Sequence, residues 1–299
     1  MVATLRAHGA TVAALIEGLR PRQWVKNGFV FAALIFSRSL TNWRLVAIVA
    51  LAACVFCGVS SAAYLLNDAL DADEDRRHPL KRLRPVASGR LAPRTAILTA
   101  IMLAAAGLFT AWKLDLRFFL VVASYVALNV FYSAFLKHVV LLDVFVIAAG
   151  FVLRVLAGGV VIRVEVSAWL IVCTTLLALF LALSKRRYEL VLLGEDASEH
   201  RASLTEYSPY FLDQLIGIVT ASTVMSYALY TLSADVRVKF PGKRLELTVP
   251  FVLFGIFRYL YLVHQREEGG SPTRLLLTDS VLLSVVVMWA ASVILIIYL

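Results

Sequence analysis

Nine apolar stretches decide what this chain can fold into, because a bilayer core about 30 Å thick is crossed by a helix of roughly twenty apolar residues. They fall at 23–36, 42–66, 93–112, 116–136, 139–161, 166–183, 210–232, 248–263 and 275–298, the first of them short. The pattern predicts an all-α polytopic membrane protein, about nine transmembrane helices around a central cavity, as one domain over 1–299. Residues 1–20 of that domain precede the first stretch. There Leu5, Val12, Leu15 or Ile16, and Leu19 recur at helical spacing, which suggests an amphipathic helix lying at the interface. Composition agrees: 61% hydrophobic and 16% charged residues over 299 positions exceed what a soluble core of that length needs. The N-terminus lacks the ordered basic, apolar and small-residue segments of a cleavable signal.

The cations give an orientation. Arg6, Arg20, Arg22 and Lys26 precede or open the first stretch, and Arg76, Arg77, Lys81, Arg82, Arg84, Arg90 and Arg94 follow the second. Lys137 follows the fourth, Lys185, Arg186, Arg187 and Arg201 the sixth, and Arg266 and Arg274 the eighth. These connections alternate, so they share one side, and the positive-inside rule makes it the cytoplasm. The expected location is a bacterial-type inner (cell) membrane. Arg237, Lys239, Lys243 and Arg244 stand against that rule on the other side. The net charge of +9 is assigned to topology and to anionic headgroups or substrates, since no nucleic-acid module is recognisable.

Charge is concentrated between Asn67 and Gly89, in NDALDADEDRRHPLKRLRPVASG. If the second stretch stays helical to Asp75, then Asn67, Asp68, Asp71 and Asp75 lie at i, i+1, i+4 and i+8 on one face, with Asp73 and Glu74 off it. Like charges so arranged repel, and need either a bound cation or neighbouring Lys and Arg. Mg²⁺ prefers carboxylates, keeps waters and bridges to phosphate oxygens. Asp68, Asp71 and Asp75 are therefore the candidate catalytic, Mg²⁺-holding residues, and Lys81, Arg82 and Arg84 the candidate phosphate contacts. The alternative, a solvated loop, would carry acids without helical phase. Cys54 and Cys57 form a C-x-x-C inside an apolar stretch and read as small buried residues; Cys173 is alone. No Ser-His-Asp set, Walker loop or dinucleotide fingerprint is present at a usable position.

The run N-D-x-x-D-x-x-x-D, with Arg84-Pro85 and Ser88-Gly89 after it, resembles the first aspartate-rich motif of the UbiA superfamily of intramembrane prenyltransferases. The wordings RPRQWVKN, HPLKRLRP, YSAFLKH (132–138) and KRRYEL (185–190) resemble its decaprenyl-phosphate phosphoribosyltransferase branch. The resemblance covers the chain end to end. It implies Mg²⁺-diphosphate bound at the cytoplasmic side of a central cavity, phosphoribosyl diphosphate as donor and a polyprenyl phosphate as acceptor. One departure fits that branch: where the superfamily carries a second acidic motif, this chain has KRRYELVLLGEDASEHR, mainly cationic, with Glu189, Glu195 and Asp196 leaving room for a degenerate metal motif. A donor bearing an extra phosphate, meeting a phosphate acceptor, needs more positive charge than an isoprenyl diphosphate meeting a neutral ring.

Further polar residues point to a cavity. Asp143, Ile147, Gly150, Arg154 and Gly158 form one stripe along the fifth stretch, where an Arg facing lipid costs about 3 kcal/mol or more. Asp143 and Arg154 lie three turns apart and cannot pair directly. Arg154 is weighed equally as a phosphate ligand and as a packing element with some other partner. The candidate substrate-binding set is completed by Lys26, Asn67, Tyr132, Lys137, Lys185, Arg186, Glu189 and Arg201. His78 is a candidate for indirect support, and Tyr207 for a lid. Two rivals remain: a UbiA-type prenyltransferase acting on an aromatic or other small acceptor, and a transporter, whose ionisable residues would sit nearer the midplane.

Overall fold

The computed structural model describes residues 2–193, 206–266 and 268–299, with side chains from Thr11 onward. Among the described residues every regular element is helical. In chain order they are α1 (Val2–Leu19), a 3₁₀ helix (Pro21–Phe31) running into α2 (Ala32–Phe36), α3 (Trp43–Leu70), α4 (Ala72–Arg77), α5 (Pro93–Leu114), α6 (Leu116–Ala134) and α7 (Leu142–Val161). There follow α8 (Ala168–Leu193), α9 (Pro209–Leu232), α10 (Ala234–Lys239), α11 (Val249–Gln265), α12 (Pro272–Thr278) and α13 (Ser280–Tyr298). Eight of these, α3, α5 to α9, α11 with its leading 3₁₀ turn, and α13, are long and apolar enough to cross a membrane. Their starts are set by polar caps and prolines. Asn42, Asp115, Ser208 and Asp279 each accept backbone N–H bonds at the head of α3, α6, α9 and α13, and Pro93 and Pro209 open α5 and α9 where no donor is lost.

The expected first crossing takes a different form. Its start lies beside Asp68, through Arg20, while its end lies beside Tyr298, whose hydroxyl donates to the Leu34 and Ile35 carbonyls, so residues 21–36 run the length of the bundle. Eleven 3₁₀ residues at about 2.0 Å each and five α residues at about 1.5 Å reach roughly 30 Å, a bilayer core, where sixteen α-helical residues would reach only about 24 Å. The tighter winding makes a short segment long enough, giving eight long helices and one overwound crossing.

Two cores share α7, the most buried span. One gathers Val30, Leu34, Phe56, Phe118, Tyr125 and Ala157 from the first crossing, α3, α6 and α7. The other gathers Phe151, Phe180, Leu183, Leu212 and Tyr259 from α7, α8, α9 and α11. α1 packs on α3 and α5 through Ala14, Leu15 and Leu19, while Val12 and Ile16, read as part of the same apolar face, point outward. Glu17 ties α1 to Arg90 through two hydrogen bonds, at 2.6 and 3.0 Å. Cys54, Cys57 and Cys173 are free thiols; Cys54 is exposed and Cys57 half-buried, so the reading of that pair as small buried residues does not hold, since the Cys54 side of α3 is not covered by a neighbouring element.

The seam between α7 and the first crossing depends on Gly158. A Cβ there would lie 1.9 Å from the Val30 carbonyl oxygen, backbone that cannot move aside like a flexible side chain. Gly158→Ala is expected to lower the thermal stability of the detergent-purified protein sharply. Gly217→Ala, where nothing lies within 4 Å of the added methyl, should leave it unchanged or raise it by up to about 1 kcal/mol. Equal melting temperatures for both would mean that the two elements do not meet this closely.

Candidate active site

The helical phase read from the aspartates survives the end of α3. Asp71 interrupts the helix only in its dihedrals: its N–H bonds to the Asn67 carbonyl at 2.9 Å, and its own carbonyl accepts from Asp75 at 2.8 Å. Asp68, Asp71 and Asp75 therefore remain on one face, and Asp73, off it, is exposed and pairs with Arg76 at 2.5 Å. Each carboxylate on the face meets a cation from another part of the chain. Asp68 and Asp75 are buried, at 1% and 3% exposure. Asp68 accepts from Arg20 at 2.5 Å and from Arg84 at 3.1 Å, and the same Arg84 Nη1 reaches Asp75 at 2.6 Å. Asp71 binds Lys137 and takes a hydrogen bond from Asn67 at 2.8 Å. Asn67 in turn accepts from Ser133 at 3.1 Å. Burial pushes the Asp75 carboxyl up from its ordinary value, against the opposing pull of Arg84.

Arg84 is aimed by the loop that carries it. His78 Nδ1 accepts the N–H groups of Leu80 and Lys81 at 3.1 and 3.3 Å, Arg76 Nε donates to the Ala87 carbonyl at 3.2 Å, and Val86 and Leu91 bury themselves beside α1, α3 and α5. Gly89 takes φ of +77°, the conformation that lets the chain turn back into α5. Lys81 and Arg84 line the cavity, whereas Arg82 is exposed on the outer side of the loop and is not brought into the site.

A second cluster is centred on Arg186. It is buried, at 1% exposure, and donates to Asp143 at 2.6 Å, to Glu189, and to the Tyr132 hydroxyl at 3.2 Å. Asp143, fully buried, also accepts from the Tyr207 hydroxyl at 3.0 Å, and that hydroxyl receives the Leu141 N–H at 2.7 Å. Asp143 thus finds its partner in Arg186 rather than Arg154, and Tyr207 is a buried strut rather than part of a lid. Arg186 cross-links α6, α7 and α8, so its charge is already matched by two carboxylates. Lys185, half-buried beside it, lies 3.6 Å from Glu189 and faces the cavity. Arg201, with Glu195, Asp196 and His200, lies outside the described residues.

Both clusters open into one cavity of about 760 Å³. Its described wall carries eight Lys and Arg (20, 26, 81, 84, 137, 154, 185 and 186) against four acids, Asp71, Glu74, Asp75 and Glu189. Away from the mouth the wall becomes apolar and aromatic, with Phe29, Phe151, Leu177, Tyr227 and Trp289. Arg20, Glu74 and Asn27 were not among the expected site residues. Arg20 carried a signal only as one of many interfacial cations, and Asn27 none beyond its place in RPRQWVKN.

A divalent ion needs converging oxygen donors. Among the described residues no three of His, Cys, Asp and Glu are drawn into a ligand set, and Asp71 pairs with Lys137. Asp68 and Asp75, however, already converge on one cationic atom, Arg84 Nη1, and an all-carboxylate pair of this kind is the donor chemistry that Mg²⁺ takes. The residues present fit such an ion once Arg84 yields its place.

Comparison with known proteins bears on the family and the fold. The family model described as the UbiA prenyltransferase family matches residues 28–281. The decaprenyl-phosphate phosphoribosyltransferase of Corynebacterium glutamicum is 34% identical, over 95% of this chain and 87% of its own length. That of Mycolicibacterium smegmatis is 33% identical, over 94% and 92%. Among solved structures, a UbiA homologue from Archaeoglobus fulgidus bound to GPP and Mg²⁺ superposes with a TM-score of 0.68 at 20% identity, covering 96% of this chain and all of its own. The apo UbiA homologue of Aeropyrum pernix K1 gives 0.69 at 18%, covering 91% and 96%. With the aspartate face, the cavity and the helical order in place, the chain belongs to the UbiA prenyltransferase family.

Proposed function

We propose that this protein transfers 5-phosphoribose from phosphoribosyl diphosphate to a polyprenyl phosphate, decaprenyl phosphate being the acceptor that its relatives' names specify, and releases diphosphate. The observation that carries the reading is the set of cations facing the cavity beyond those its carboxylates match: among the described residues Arg154 and Lys26 meet no carboxylate, and Lys185 adds a cation at the mouth beside the already matched Arg186. An isoprenyl diphosphate and a neutral aromatic acceptor bring too little negative charge to match it. The prenyltransferase alternative shares the aspartate face but leaves those cations without a role.

Asp68 and Asp75, with Asp71 beside them, are the residues that would hold Mg²⁺, which when bound supplies charge neutralisation to the donor diphosphate. Lys81, Arg84, Lys137 and Lys185 present further cations to the same phosphates from the loop, from the end of α6 and from α8. With the leaving group's charge matched, the bond from the anomeric carbon to the diphosphate oxygen breaks, positive charge develops on the ribose ring, and an acceptor phosphate oxygen forms the new bond from the opposite side, with inversion. The electron pair of the broken bond leaves on diphosphate. No general base is needed, because the acceptor phosphate is ionised at neutral pH, so the chain's task is positioning and leaving-group stabilisation. The aspartate end faces the cytoplasm, where the polar donor enters. The lipid enters laterally between helices, and its chain lies against the apolar part of the cavity wall, where Phe29, Ile35, Val286 and Trp289 stand.

Purified protein given labelled phosphoribosyl diphosphate and a polyprenyl phosphate should form phosphoribosyl lipid. Asp68→Asn, Asp71→Asn and Asp75→Asn should abolish turnover in inserted protein, and Asp73→Asn should change it little. Consumption of isoprenyl diphosphate instead would transfer the assignment to the prenyltransferase alternative. Lys185→Ala should cost roughly ten- to a hundred-fold in rate or apparent donor affinity, the loss of one charge-assisted contact. Arg186→Ala should instead reduce folded yield, since it leaves Asp143 and Glu189 buried without their partner, at about 3–5 kcal/mol. A stable Arg186→Ala protein with wild-type melting would show the cross-link to be dispensable. Finally, in a variant lacking Cys54, Cys57 and Cys173, a cysteine at Ser88 should react with an impermeant reagent only from the cytoplasmic side and one at Asp235 only from outside; the reverse pattern overturns the orientation.

A further inference from the structure

The cavity has a second charged level, removed from the carboxylates. Arg154 is buried on α7, and its three hydrogen bonds all go to neutral acceptors at 2.8 Å: the Asn27 side-chain oxygen, the Gly150 carbonyl and the Tyr125 hydroxyl. Its guanidinium lies 4.8 Å from the Tyr125 ring centroid and 5.3 Å from that of Phe151. Among the described residues no carboxylate pairs with it. Lys26 lines the same cavity, makes neither hydrogen bond nor ion pair among the described residues, and stands between the two levels, in the positive fields of Arg154 on one side and of Arg20 and Lys185 on the other. A cation withdrawn from water is ordinarily matched by a counter-charge, and here buried Arg154 and half-buried Lys26 share a cavity without one. The component that completes them is an anion.

Depth decides which anion. The Arg154 guanidinium reaches back to the Gly150 carbonyl, seven residues along α7 from Asp143, which puts its charge about 10 Å from the level where Asp143 meets Arg186. Asn27, which orients Arg154, donates to Ser60 at 3.4 Å, and Ser60 lies eight residues before Asp68, about 12 Å down α3. Toward the far end the wall is aromatic, with Tyr227 bonded to Trp289 at 2.8 Å. The site therefore lies between the polar mouth and an apolar chamber. The donor has no apolar part and is met by the cations of the mouth, whereas a phosphate carried on an isoprenoid chain has its charge at this boundary.

We propose that Arg154 and Lys26, with Asn27 and Tyr125 holding the guanidinium in place, bind the phosphate of the lipid acceptor and make the enzyme select a polyprenyl phosphate over the free polyprenol. This rests on the phosphoribosyl-transfer reading above. Its test uses binding as well as turnover. A short polyprenyl phosphate and the matching polyprenol are titrated into the purified full chain, with the fluorescence of Trp169 and Trp289 in the cavity wall as the signal. The wild type should bind the phosphate more tightly than the alcohol. Lys26→Met and Arg154→Gln should each weaken phosphate binding at least about ten-fold, the size of one lost charge-assisted contact, and leave alcohol binding unchanged. In turnover, the acceptor KM should rise in parallel while the donor KM stays put. Unchanged phosphate binding in Lys26→Met overturns the proposal, as does a rise confined to the donor KM, which would give the site to the donor's 5-phosphate. If Arg154→Gln does not insert, Lys26→Met alone decides. A wild type that binds polyprenyl phosphate but forms no phosphoribosyl lipid would sink the reaction and leave the anion site standing.

Discussion

A carboxylate withdrawn from water at the edge of a membrane must be matched by a cation, and in this protein that requirement assembles the bundle's working end. The three aspartates of one helical face each recruit a different segment: Asp68 the entry to the first crossing through Arg20, Asp75 and Asp68 together the loop of Arg84, and Asp71 the end of α6 through Lys137. None of these segments is adjacent in sequence to another. The site and the docking of its surrounding elements are thus one set of interactions, and a ligand that displaces Arg84 from between its carboxylates also loosens the loop that carries it.

The Arg186 cluster is the inverse arrangement, a cation at the centre with acids and hydroxyls around it. It fastens α8 to α6 and α7 at the mouth of the cavity. α7 belongs to both halves of the molecule. Its Asp143 serves this cluster, its Gly158 admits the first crossing, and Arg154 between them faces the cavity. The stripe of polar and small residues along it divides three tasks by depth.

The membrane class, the helical order and the aspartate face were legible because they rest on local periodicity: apolar length marks a span, and i, i+4, i+8 spacing survives any packing of the helix. Pairings across the chain were not. Asp143 meets Arg186 over 43 residues and Lys137 meets Asp71 over 66, and nothing in spacing distinguishes such partners from the other cations in alternate connections. Arg82 and Arg84, two residues apart in one basic run, end on opposite sides of a loop whose path is set by His78, Gly89 and buried Val86 and Leu91. The winding of the first crossing was equally hidden, since an apolar run reports its need to span and not the helix by which it does so.

That winding has a consequence for how the segment reads. A 3₁₀ helix repeats every three residues, so its side chains stand in three columns rather than on a broad face. Asn27 and Val30 stand in one column, both buried, and Ala33 carries the sealed edge on where the segment passes into α2. Lys26 and Phe29 stand in the next, lining the cavity with Val25 and Gly28 beside them, and Ala32 and Ile35 of α2 continue that lining. Over its 3₁₀ part the crossing is a triangular prism with one edge sealed against its neighbours and another facing the cavity, and its sequence there is constrained in thirds. Volume changes at 27, 30 or 33 would open the seam, changes at 26, 29 or 32 would reshape the chamber, and a single inserted residue would turn the chemical edge into the packing edge.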